Sequence, residues 1–363
     1  MRRMYRSIAA GLLAGVISMA GLTGQDRQTP DRLAAEIAAW QATAREEHPD
    51  LPLWGQVRPG AQAALAMAET ARAGGHRWFA LERLAAARNL LSAAGYIGTR
   101  DAETRKSVTA FEAEWQRVGR DLGAALVAPR PDAFNAIRPA ASRALAETAA
   151  FQTKVLYDAS VIYGRATDAD SGLYYLGSAL AQRELVALTR ALPPVAAGRS
   201  SARSVSAETA ALERRLLALY QPPVSIERHP EFIAASSALK EARELDAAGL
   251  HYGATFKYLQ ALQRTALLSQ PAGRPAGDLS RELGQVQASL ASDGQDHTIL
   301  QVFLERAAVE LAKPPAEQLA LPTVAVILDD LVPAYRATRV AAPAPTPPVT
   351  AEVTVRLVRW PFT

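Results

Sequence analysis

Ala-Gly-Gly-His-Arg-Trp-Phe-Ala (Ala73–Ala80) and Ala-Gly-Leu-His-Tyr-Gly-Ala (Ala248–Ala254) each interrupt an Ala/Leu-rich pattern with glycine and resume it at once. Ser-Gly-Leu-Tyr-Tyr-Leu-Gly (Ser171–Gly177) reads alike. In each stretch an aromatic follows the glycine by three residues: Trp78 after Gly75, Tyr175 after Gly172, Tyr252 after Gly249. A glycine in left-handed backbone ends a helix, and an immediate restart folds the chain back as a helical hairpin. The expected fold class is therefore all-α, built of antiparallel multi-helix hairpins.

Composition agrees with that reading. Apolar residues make up 49% of the chain and charged residues 21%, enough to bury a core. Aromatics are only 6%, so small side chains and close helix-on-helix contacts are expected instead of a large sheet core. The formal charge is +4, and three of those charges are Arg2, Arg3 and Arg6 at the start. No basic run remains to mark a nucleic-acid partner.

Those arginines precede the apolar Ile8–Met19, and Ser18 and Ala20 are small residues where a signal peptidase reads them. This is the build of a secretory signal peptide, assigned to residues 1–24. The apolar run is shorter than the ~20 residues of a membrane span, so no transmembrane segment is expected in the mature chain. The chain has no cysteine, which removes disulfides, thiolate metal sites and a lipoprotein anchor. The expected address is the periplasm or the extracellular space.

Composition shifts divide the rest. An N-terminal helical region (25–192) and a C-terminal one (207–340) flank a Gly/Ser/Arg-rich linker (193–206). A Pro-rich spacer (341–350) then leads to a tail (351–363). Within these regions, a helix is expected to start after Pro59. Asp101 is expected to cap one long helix carrying Val108, Phe111, Trp115, Val118, Leu122 and Leu126. A bend is expected at Pro139, and a second hairpin turn at Thr167–Gly172 with Asp170 as cap.

Around the hairpins, Gly249, Ala254, Tyr258 and Ala261, and likewise Gly75, Ala80, Leu84 and Ala87, fall at the spacing of the Gly, Ala, large residue and Ala of tetratricopeptide repeats. The chain resembles that family over these two hairpins. The Gly172 stretch departs from the pattern, with Glu184 at the last Ala position. The three glycines also recur far less often than the family's ~34 residues. The resemblance implies a superhelical stack with a concave surface for a peptide or protein, and no catalysis. Trp78, Tyr175 and Tyr252 then either line a groove or pack beneath their own turns.

The chemistry-bearing residues form no recognisable constellation. His48, His76, His229, His251 and His297 lack a second His at helical spacing. Asp168-Ala-Asp170 opens like a calcium loop without its downstream acid. Glu46-Glu47 and Asp329-Asp330 are neighbours that do not face each other on a helix. No phosphate loop or dinucleotide fingerprint occurs, and no cofactor is expected. The tail alternates Val353, Thr354, Val355, Arg356 and Leu357 as a β-strand does. Val353, Val355, Arg356, Leu357, Arg359 and Trp360 are candidates for strand addition to a partner, with a flexible end or pairing within the fold, as to Val324–Leu328, as the alternatives. The expected function is a protein-protein interaction or assembly scaffold of the cell envelope. The alternative is a periplasmic hydrolase or a small-ligand-binding helical domain.

Overall fold

The computed structural model describes residues 31–192, 198–199, 201–221, 226–269 and 273–339, most of which lie in helices. In order they are α1 (Arg32–Arg45), α2 (Pro52–Ala73), α3 (Arg77–Gly98), α4 (Ala102–Lys106), α5 (Val108–Leu122), α6 (Ala140–Ala166) and α7 (Ala169–Ala191). There follow α8 (Ser206–Leu219), α9 (His229–Ala247), α10 (His251–Leu268), α11 (Ala276–Ala291), α12 (Thr298–Leu311), α13 (Leu321–Val326) and α14 (Val332–Arg339). A π-helical turn, Ile327–Leu331, joins the last two. Among the described residues there is no β-strand, only an isolated bridge between Arg199 and Gln295. No described helix is long and apolar enough to cross a membrane.

The turns at Gly75 and Gly249 are the same device. Both glycines have positive φ, 79° and 74°. In the first, the His76 amide donates to the Ala71 carbonyl (2.8 Å) and the Gly75 amide to Arg72 (3.0 Å). In the second, Leu250 donates to Leu245 (2.9 Å) and Gly249 to Asp246 (2.9 Å). This paired closure satisfies the last carbonyls of α2 and α9. Ala80, Leu84 and Ala87 on α3, and Ala254 and Ala261 on α10, are fully buried where the helices cross.

Gly172 is not a turn residue. α6 and α7 are joined at Thr167 and Asp168, and Gly172 lies inside α7. The cap is Asp168, whose carboxylate accepts from the Ser171 amide (2.6 Å), and not Asp170, which pairs with Arg105 (2.8 Å). Gly172 is required for close approach: a Cβ there would run into the Phe111 ring and sit 2.8 Å from the Gly164 Cα.

Four further expectations change. α2 runs through Pro59 from Pro52, because packing of Leu51 and Trp54 outweighs the lost hydrogen bond at Pro59. The helix expected from Asp101 is two: Ser107, in extended backbone, breaks it and caps α5 through the Ala110 amide. Pro139 does not bend a helix; it immediately precedes α6. Val324–Leu328 is helical and buried, so it offers the tail no strand. The leader (1–24), the spacer and the tail, including Val353, Val355, Arg356, Leu357, Arg359 and Trp360, lie outside the described residues, as do 193–197 of the linker.

One hydrophobic core runs from Leu33 to Tyr335 and takes side chains from both flanks of the linker; a smaller cluster forms around Phe111. The same two flanks are joined by buried carboxylates. α3, α6 and α10 each begin without a side-chain cap of their own. For α3, Glu305 of α12 accepts from the Trp78 and Phe79 amides (2.7 and 2.8 Å). For α10, Glu147 of α6 accepts from the Gly253 amide (2.9 Å) while pairing with Arg143 (2.8 Å). For α6, Asp296 accepts from the Ala140 amide (2.7 Å), and Thr298 from Ala141 (2.9 Å). The acid at a helix N-terminus is favoured by both the orphan amides and the helix dipole.

Two measurements follow. Gly172→Ala is expected to cost about 1–3 kcal/mol by overpacking. Gly75→Ala, with nothing within 4 Å of its Cβ, is expected to cost only the ~1–2 kcal/mol of left-handed backbone. Urea midpoints compare them. Burial pushes the Glu305 carboxyl from its ordinary 4.5 up to about 7, against the two amide hydrogen bonds. The folded protein thus holds this proton where the unfolded chain has lost it. The associated stability, about 3 kcal/mol, is fully present below pH 4.5 and is lost as pH rises through 7. Burial also raises Glu147, in the same direction. Tm is expected to fall between about pH 5 and pH 8. Glu305→Gln keeps a carbonyl acceptor and is expected to reduce that fall; an unchanged slope would refute the assignment.

Candidate functional site

α3, α10 and α12 meet around a cleft of about 500 Å³, with the turn before α9 (Ile226–Arg228) beside it. Helical spacing brings its residues to one place. Phe79, Glu82 and Arg83 come from α3; Gln260, Gln263, Arg264 and Leu267 from α10; and Val302, Phe303 and Arg306 from α12. Arg228 reaches in from the turn, and the exposed Glu231 from the first turn of α9. Phe256 and Phe303 touch at 5.8 Å between ring centroids and form part of the apolar wall.

The four arginines are not equivalent. Arg83 is held by Glu82 through two bonds of 2.5 Å. Arg228 donates to the Leu268 carbonyl (2.9 Å) and lies 3.7 Å from Glu227. Arg306 donates to the Gln263 Oε1 (3.3 Å), and neither it nor Arg264 has a carboxylate in ion-pair contact among the described residues. Burial, then the charge of Arg83, then that of Arg264, depress the Arg306 pKa, with Glu82 and Glu310 acting in opposition. Gln263 is 5% exposed, and its Nε2 has no hydrogen-bond partner. Four arginines against Glu82 and Glu231 thus give the lining an excess of positive charge, with an unused amide donor beside aromatic surface. Such an arrangement suits binding of an anion.

A second cleft, about 600 Å³, lies at the α6–α7 turn. Tyr163 and Tyr175 stack there at 4.5 Å, with Tyr174 edge-on to Tyr175. Of its charged groups, Arg105 grips Asp170 through two bonds (3.0 and 2.8 Å), and Asp168 is taken up in capping α7.

The residues singled out in the sequence distribute as follows. Gly75 and Gly249 make the turns, and Ala80 and Ala254 the tight crossings. Trp78 is 6% exposed beneath its hairpin turn. Tyr252 occupies the equivalent place on α10, with the Arg143 guanidinium 4.3 Å from its ring centroid. Tyr258 is buried, its phenol pKa pushed up to about 12 by burial and by Glu208. Tyr175 is apart from these, in the second cleft, so the three aromatics do not line one groove. Asp329 and Asp330 sit on the π-turn, each with its own arginine, Arg274 (2.6 Å) and Arg215 (3.2 Å).

Sequence reasoning missed Gln263, Arg264 and Arg306. The available signal was polar residues on the apolar faces of α10 and α12. Gln263 follows Leu262, and Arg306 stands between buried Leu304 and Ala307. Comparison of the chain with protein-family models, curated proteins and solved structures finds no match.

Proposed function

We propose that this chain is an exported helical-hairpin binding protein of the cell envelope that holds a negatively charged group of its ligand in the α3–α10–α12 cleft. The observation that carries this reading is the pair Arg264 and Arg306, two cations without carboxylates beside the unpartnered Gln263 amide. The tetratricopeptide-like spacing of the two glycine-turn hairpins supports a binding role, and the Arg-led apolar leader supports export. N-terminal sequencing of the exported protein is expected to begin between Gly21 and Gln25. A chain beginning at Met1 in the cytoplasmic fraction would refute export. Native mass spectrometry of the exported protein, purified without detergent, is expected to show a bound species that is lost in Arg264→Glu/Arg306→Glu. A wild type without adduct, or a double variant that retains it, would contradict the reading.

An assembly-scaffold role has its own support. Val155 and Ile162, about two turns apart on α6, leave an exposed apolar row with Tyr163 beside it, and Ile162 is 64% exposed. Ile162→Asp is expected to abolish cross-linking to an envelope protein if this row is the docking face.

A further inference from the structure

We infer that the α3–α10–α12 cleft takes a compact organic oxyanion, a carboxylate or phosphate ester on a short apolar body, with Arg264 and Arg306 holding the charge and Gln263 donating to it. The inference rests on the cleft being a ligand site and names the chemistry of that ligand.

The charge is argued by elimination within the cleft. A guanidinium cannot shed its proton at physiological pH, so a crowded arginine must find an anion or keep its water. Glu82 is already committed to Arg83, Arg228 has a carbonyl and Glu227, and the exposed Glu231 still leaves four arginines against two acids in the lining. Arg306 has only the neutral Gln263 oxygen, and it feels both Arg83 and Arg264. A metal cation would be repelled by this group, whereas an oxyanion would relieve the repulsion among all three.

The donor is argued from geometry. Gln263 accepts from Arg306 through Oε1. Reversing its amide would set a donor against a donor, so the unpartnered atom is Nε2. It is the polar side chain of the cleft that is 5% exposed and aimed at no protein acceptor. An oxygen of a bound anion supplies the missing acceptor.

Size and walls set the rest. A cleft of about 500 Å³ suits a small organic molecule. Phe79, Phe256, Val302 and Phe303 show little of their surface, so the apolar contact area is short and a long acyl chain is not matched. Inorganic phosphate would satisfy the arginines and leave the aromatic wall unused.

The test is calorimetric titration of the mature exported chain with phenyl phosphate, phenylpropionate, benzyl alcohol and inorganic phosphate. Phenyl phosphate or phenylpropionate is expected to bind about tenfold or more tightly than either benzyl alcohol or inorganic phosphate, and which of the two is tighter identifies the oxyanion. Arg264→Gln, at an exposed side chain, and Gln263→Leu, close in volume, are each expected to weaken that binding several-fold. Equal binding of benzyl alcohol would leave a merely apolar pocket, and equal binding of phosphate a bare oxyanion site; either overturns the inference. If neither organic anion binds while an Arg306-dependent adduct persists in native mass spectrometry, the ligand class is wrong and the cleft stands. If both fail, the cleft is not a ligand site.

Discussion

Three helices of this protein begin with backbone amides that their own residues leave unsatisfied, and buried acids from the far side of the chain satisfy them. Glu305 does so for α3, Glu147 for α10 and Asp296 for α6. Every one of these contacts joins an element before the 193–206 segment to one after it. Apolar contacts alone are non-directional and would allow the two halves to slide. A carboxylate held by specific amides in a low-dielectric interior does not, because misregister leaves a buried charge and buried donors unpaired. The cost is visible at Glu305, whose ionisation is opposed by its burial.

The cleft inherits its geometry from two of these contacts. Glu305 fixes α12 against the first turn of α3, so Phe79 and Arg83 face Phe303 and Arg306 across the cleft. Glu147 fixes the first turn of α10 against α6, and the helix then carries Gln263 and Arg264 to the same opening. Arg306 adjoins Glu305 in sequence, so the acid buried against α3 and the cation facing the cleft are placed by the same turn of α12. The ligand chemistry proposed for the cleft therefore depends on where two carboxylates sit.

Part of the local structure was legible from local signals in the sequence. Gly75 and Gly249 could be read as turns because positive φ is a property of a single residue. Gly172 shares their pattern with an aromatic three residues on, yet serves helix packing beneath Phe111, and no local signal separates the two uses. The helix through Pro59 and the break at Ser107 were hidden because packing around Trp54 and a single serine cap decided them. Glu147 and Glu305 were visible as acids on faces that periodicity assigns to the core. What the sequence could not supply was which helix start each acid would meet, since the partners are more than a hundred residues away. The arginine pair was hidden for the same reason.

The central claim is that Glu305 holds α3 and α12 together through two amides. Amide hydrogen exchange in the wild type and in Glu305→Leu tests it directly. The account predicts that Trp78 and Phe79 exchange about tenfold or more faster in the variant, while Gly253, held by Glu147, keeps its protection. Unchanged protection of Trp78 and Phe79 would contradict it.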